Sequence, residues 1–177
     1  MRNIVYDVAA TLDGFIAGEG GDVSAFVNEG DHVDAYLARL QTSDTVLMGR
    51  RTYEFGYAFG VKPGQRVYPH MAHHVFSRSL ALPSPSDVEV VRENWIKTID
   101  RLKAAPGGDI YLCGGGAFAG YLANHGRIDL LVVKLNPVLL GRGVPLFAGL
   151  ERPLSLNLTG TTRYASGVTL LEYGVAR

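Results

Sequence analysis

The sequence predicts a three-layer α/β/α fold with a mostly parallel central sheet and an antiparallel hairpin at its C-terminal edge. Three observations predict it. Short apolar runs rich in β-formers alternate with apolar residues at helical spacing through the first three quarters of the chain. Strand-like runs alone fill the last quarter. The length of 177 residues suits one core, so residues 1–177 read as a single domain.

The elements follow in order. Residues 3–10 read as a buried strand, because Ile4, Val5 and Val8 do not alternate cleanly with polar neighbours. Asp13-Gly14 and the glycines from Gly18 to Gly21 mark turns. Val33, Tyr36, Leu37 and Leu40 lie at helical spacing over residues 31–42, with Asp31 as the expected N-cap. Residues 45–48 form a second buried strand closed by Gly49, residues 51–58 a short helix, and residues 60–68 a loop. Strands follow at 74–76 and 88–91, separated by the breaker cluster at 82–86. Trp95, Ile99 and Leu102 share one helical face, which ends near Pro106-Gly107-Gly108. A strand at 109–113, a glycine turn at 114–116 and a helix at 117–124 come next. A strong β run covers 128–135, and Asn136-Pro137 ends it. Residues 154–162 and 168–173 form the closing hairpin around Ser166-Gly167.

Composition narrows the function. Lys plus Arg and Asp plus Glu both total 17, which argues against a nucleic-acid binder with a general basic footprint. The N-terminus lacks the apolar core of a signal peptide, and no run is long and apolar enough to span a bilayer. With its single cysteine, Cys113, the chain is expected to be cytoplasmic, with no membrane partner. His70, His73 and His74 have no carboxylate or thiol close in sequence and no common helical face, so a loop is expected there and no metal site.

Two kinds of turn carry chemistry. Gly114-Gly115-Gly116 lies between a strand and a helix, where backbone amides meet an anion without an intervening Cβ. A standard dinucleotide fingerprint fails, since Asp129 comes too early and the strand ends in Leu135-Asn136 with no acid. A P-loop fails because Tyr121-Leu122 follows Gly120. Alone, the glycine run is equally consistent with a plain strand-to-helix turn. Gly49-Arg50-Arg51-Thr52 and Ser77-Arg78 place guanidinium and hydroxyl groups after two other strands, a chemistry suited to phosphates. Taken singly, these arginines fit solvated surface charges as well.

In their order, these pieces resemble the dihydrofolate-reductase-like family. They are Ala9 to Ala17 with its Leu12-Asp13-Gly14, Val46 to Glu54, Val75 to Arg78, and Ile110 to Phe118. Residues 137–147 and the closing Ser166-Gly167-Val168 and Tyr173 resemble the branch of the reductase domain of the bifunctional riboflavin-biosynthesis protein. The resemblance implies a dihydrofolate-reductase-like fold and an NADPH cofactor. Gly49, Arg50, Arg51 and Thr52 would hold its phosphates. Ser77 and Arg78 would meet the adenosine ribose and its 2′-phosphate, and Gly114, Gly115, Gly116, Ala117 and Phe118 would cradle the pyrophosphate. Ala9 and Ile16 would touch the nicotinamide. A cis peptide is implied at Gly114–Gly115.

The implied reaction is hydride transfer to a C=N or C=O carbon of a small substrate, pyrimidine- or pterin-like, as in 5-amino-6-(5-phosphoribosylamino)uracil reduction. Asp31 and Asp34, near the start of the first helix, are the expected catalytic acids, with Glu54 or water as alternatives. Asp13 is expected to shape its own turn. Ala117 in place of the family's arginine bears on one phosphate contact, and Phe26 in place of its tryptophan argues against folate as substrate. The deaminase half of the riboflavin protein is not in this sequence, since one cysteine cannot supply its zinc site. A non-catalytic ligand-binding protein retaining the fold is the alternative. The apolar stretch 130–147, read as a sheet edge, predicts a homodimer.

Overall fold

The computed structural model describes residues 1–176. Their strands are β1 (Ile4–Thr11), β2 (Phe15–Ala17), β3 (Ser43–Gly49), β4 (Ala72–Phe76), β5 (Val88–Val91), β6 (Asp109–Gly114), β7 (Leu130–Asn136), β8 (Val144–Pro145), β9 (Leu156–Arg163) and β10 (Thr169–Val175). The α-helices are α1 (Asp31–Leu40), α2 (Arg50–Phe55), α3 (Trp95–Ala104) and α4 (Gly116–Asn124).

Eight strands form one sheet in the order β5-β4-β3-β6-β1-β7-β10-β9. The pairs from β5 to β7 are parallel, and β10 runs antiparallel to both β7 and β9. The fold class expected from the sequence is therefore the fold observed. Central strands such as β3 bury four residues in succession, Thr45 to Met48, because helices cover both faces. On one face, α3 and α4 set Ile99, Phe118 and Leu122 against Ile4, Leu112 and Leu131. On the other, Leu40 of α1 and Tyr53 of α2 pack with Val46, Met48, Val75 and Tyr111. Each such buried apolar side chain contributes roughly 1.5–3 kcal/mol.

Three expectations are corrected. Gly30, at φ 115°, is the N-cap of α1, and Asp31 is the first helical residue. Asp31 still satisfies one free amide of the first turn, since its Oδ1 accepts from His32 N at 3.0 Å. The stretch read as an edge is interior: β7 lies between β1 and β10, and the C-terminal edge is β9. His73 lies in β4 rather than in a loop, joining the strand expected from His74, and both are buried.

Strand order creates the crevice. The chain leaves β3 by α2 on one face and leaves the adjacent β6 by α4 on the other. Loops that part in this way open a cleft at the carboxyl ends of the strands.

Candidate active site

The expected turns meet at that cleft. A Cβ on Gly115 would lie 3.2 Å from Thr52 Oγ1 and 3.7 Å from Ile16 Cδ1. One on Gly49 would lie 3.4 Å from Phe118 Cβ and 3.7 Å from the Gly114 carbonyl oxygen. Thus Ile16, Gly49, Thr52, Gly114, Gly115 and Phe118, spread over a hundred residues, form one surface. The Gly114–Gly115 peptide is cis, and Gly114 sits at φ 117°, where a side chain would be strained. Gly115 caps α4 without a side-chain bond, so the first amides of a nine-residue helix face the cleft. Such a floor, bare of Cβ atoms and lined with amides, fits a pyrophosphate.

The individual residues divide their work. Phe118 is core, stacked on Phe76 at 4.8 Å, so only its backbone can serve a ligand. Ala117 is exposed. Gly116 has a packing role, because a Cβ there would lie 2.0 Å from the Pro145 carbonyl oxygen. Arg50 donates to Glu54 at 3.2 Å and to Ser79 Oγ at 2.9 Å, whereas Arg51 and Arg78 are exposed. Ser77 is buried, and its Oγ accepts the amides of Ser79 and Leu80. Ser77 therefore shapes the turn that presents Arg78. Arg78 also borders an open cavity of about 630 Å³, lined further by Arg92, Asn94, Trp95 and Tyr121. Sequence reasoning placed Trp95 in the core. It does contact Phe76, Phe118 and Tyr121 edge-on, but its indole N–H is buried without an acceptor.

A second strip closes the cleft. Phe15 and Ala17 of β2 pair with Pro145 and Val144 of β8. Asp13 fastens this strip. Its carboxylate accepts from Thr11 Oγ1 at 2.6 Å, Leu140 N at 3.0 Å and Gly141 N at 2.7 Å. These bonds, the Thr11 hydroxyl first, hold the Asp13 carboxyl below the usual carboxylate range. Its role as a shaper of the turn agrees with its expected one.

Beyond Ala9 lies a polar cluster that the sequence reading missed. Asp7 accepts from Arg39 Nε at 3.0 Å and from Lys134 Nζ, and Lys134 Nζ sits 3.8 Å from the centre of the Tyr36 ring. Tyr36 OH meets Tyr111 OH at 2.9 Å, and Tyr68 OH meets Cys113 Sγ at 3.8 Å. Burial pushes the Tyr36 phenol up to about 12 and raises Tyr68, Tyr111 and Cys113. Asp31 and Asp34, the expected acids, stand exposed in the first turn of α1. The three histidines diverge: His70 Nε2 meets Leu40 O, His73 Nε2 accepts Val67 N, and His74 faces Glu89.

Comparison with known proteins places this arrangement. The chain is 33% identical over 174 residues to the uncharacterized protein YwjB of Bacillus subtilis, with 96% of each chain covered. A crystal structure of a putative riboflavin biosynthesis protein from Shewanella matches all of both chains at TM-score 0.83 and 27% identity. The dihydrofolate reductase of Enterococcus faecalis, solved with NADP(H), matches at TM-score 0.71 and 16% identity, over 99% of this chain and 97% of that one. The profile of the RibD C-terminal domain covers residues 2–170, and the chain belongs to that family.

Proposed function

We propose that the protein is an NADPH-dependent reductase that delivers hydride to a C=N or C=O carbon of a small pyrimidine- or pterin-like substrate. The observation that carries this reading is the bare floor of Gly49, Gly114 and Gly115 against Thr52 and Ile16, at the N-terminus of α4. The family, and a fold shared with a reductase solved with NADP(H), support it.

Each residue's part follows from its place. Amides at the start of α4 and the Thr52 hydroxyl would hold the pyrophosphate. Arg51 and Arg78, both exposed, would meet the remaining phosphates, and Ser77 would fix the turn that carries Arg78. Ile16 and Ala9 would keep water from the nicotinamide end. When bound, the cofactor supplies the hydride. Asp13 would hold the strip of β2 and β8 over the site.

Calorimetric titration with NADPH and NADH tests the reading. NADPH should bind more tightly, and Arg78→Ala should weaken it about tenfold. Failure to bind either nucleotide removes the reductase reading and favours a ligand-binding protein that kept the fold. Assembly is proposed as a homodimer through β9, whose Leu156 and Leu158 are 37% and 59% exposed. Sedimentation showing only monomer at micromolar protein would exclude it.

A further inference from the structure

We propose that Lys134, held by Asp7, is the proton donor to the hydride acceptor; the inference rests on the reductase reading above.

Position is the first argument. Lys134 of β7 is the register partner of Ala9, and Asp7 lies two residues before Ala9 on the same face of β1. Ala9 is the residue expected at the nicotinamide. Ala9 remains part-exposed, whereas the Lys134 and Asp7 side chains are only 10% and 5% exposed. The ammonium thus lies just beneath the reachable surface of the site.

Chemistry is the second. Asp7 accepts hydrogen bonds on both oxygens, from Lys134 and Arg39, so it offers no proton. A guanidinium does not release one near neutral pH, which excludes Arg39. The expected acids, Asp31 and Asp34, stand in water. Lys134 alone of the cluster's charged groups can give up a proton and recover it. Burial draws its ammonium below the ordinary lysine range, against the opposing pull of Asp7. The other titratable or charged groups facing it are Arg39 and Tyr36 on α1 and Cys113 on β6; on β10 its register partner is the apolar Leu170.

Energetics is the third. A buried ion pair is poor value for stability, because apolar residues of equal volume often serve as well. A charged pair amid the buried, apolar Leu131, Val132 and Val133 of β7 is therefore not explained by stability, and its place toward the carboxyl ends of the strands is what points to use.

The step balances as follows. Lys134 Nζ gives one proton to the substrate nitrogen or oxygen. That atom takes on the C=N or C=O π pair as its carbon accepts hydride from the reduced nicotinamide. The dinucleotide leaves oxidised, and water returns the proton to the Lys134 amine.

The test has two readouts. The first is the ratio of NADP⁺ to NADPH affinity, measured by calorimetry without substrate. An ammonium beside the ring disfavours the cationic oxidised form. Lys134→Met should therefore improve NADP⁺ relative to NADPH on the order of tenfold. Lys134→Arg keeps the charge and should keep the ratio. Lys103→Met, which removes a buried lysine at the opposite end of the sheet, should leave it unchanged. The second readout is NADPH oxidation with 5-amino-6-(5-phosphoribosylamino)uracil and with 7,8-dihydropterin. Both Lys134 variants should lose on the order of 10²–10⁴ in kcat, Lys134→Arg included. An unchanged affinity ratio in Lys134→Met overturns the proposal, as does full kcat in Lys134→Arg. If the wild type turns over neither probe, the ratio alone decides. Absence of any nucleotide binding would instead remove the reductase reading, and this inference with it.

Discussion

Gly116→Ala separates packing from ligand binding at the glycine turn. The added Cβ would lie 2.0 Å from the Pro145 carbonyl oxygen and 3.2 Å from its carbon, both backbone atoms. The segment cannot yield freely. Ala148 N donates to Gly116 O at 3.0 Å, Leu146 N donates to Gly14 O at 2.8 Å, and β8 pairs with β2. Overpacking costs roughly 1–3 kcal/mol, and two weakened hydrogen bonds add about 2 kcal/mol. Alanine returns up to about 1 kcal/mol of helix propensity. The net is a loss of about 3 kcal/mol, or about 6–12 °C in Tm for a chain of this size. Urea and thermal melts of the apo protein measure it. If Gly116→Ala is as stable as wild type or more so, the segment from Pro145 to Ala148 does not cover α4, and the closed cleft is wrong. Gly115→Ala makes the contrast. Its Cβ meets only the Thr52 hydroxyl and the Ile16 methyl. The fold should lose less than about 1 kcal/mol, because side chains can give by a few tenths of an ångström. NADPH affinity should fall about tenfold, as the Cβ enters the floor.

Further consequences concern the ends of the strands. Lys103→Met leaves Asp129 without the Lys103 ammonium, and breaking a buried pair in this way should cost about 3 kcal/mol by denaturant melt; a loss within error would show the pair to be idle. His73 is 2% exposed, with its Nε2 accepting the Val67 and Tyr68 amides, and burial draws it down to about 4. Its folded value lies below the unfolded one near 6.5, so the stability it contributes is complete above pH 6.5 and lost as pH falls toward 4. After allowance for solvent screening that loss is about 2 kcal/mol. Titration of the His73 imidazole by NMR near 6.5 would contradict this. Asp13→Ala should speed hydrogen exchange at the Leu140 and Gly141 amides about tenfold while core amides stay protected. Unchanged exchange at both would mean that the clasp does not hold the strip.

Much of the fold could be read locally, and the reason is physical. Parallel strands buried on both faces leave dense apolar runs, which is why β1, β3, β6 and β7 stand out. Glycine turns mark strand ends for the same local reason. What escaped notice depends on distant partners. Strands β2 and β8 have three and two residues, and each exists because the other lies beside it, more than a hundred residues away. Arg92 and Trp95 reach Arg78 only through the β4–β5 pairing and the start of α3. The edge assigned to residues 130–147 failed because an apolar run carries no record of which strands flank it. Nor could the sequence show that Lys134 and Asp7 meet, since a lone charge in an apolar run has no local sign of its counterion.

The two buried lysine–aspartate pairs turn that limitation into an argument. Lys103–Asp129 and Lys134–Asp7 use the same chemistry at similar burial. The first sits where β1 and β7 begin, and Asp129 there also accepts the Ile4 amide at 2.8 Å. The second sits toward the carboxyl end of β7, where Lys134 is the register partner of Ala9, the residue expected at the nicotinamide. A doubly covered sheet charges the same desolvation penalty at either end, so energetics alone cannot tell the two pairs apart. Placement can, because ligands of such sheets bind at the carboxyl ends. Loss of Lys103 should therefore register in the melting curve and not in the NADP⁺ to NADPH ratio. Loss of Lys134 should register in both, and that asymmetry would mark one pair as scaffold and the other as site.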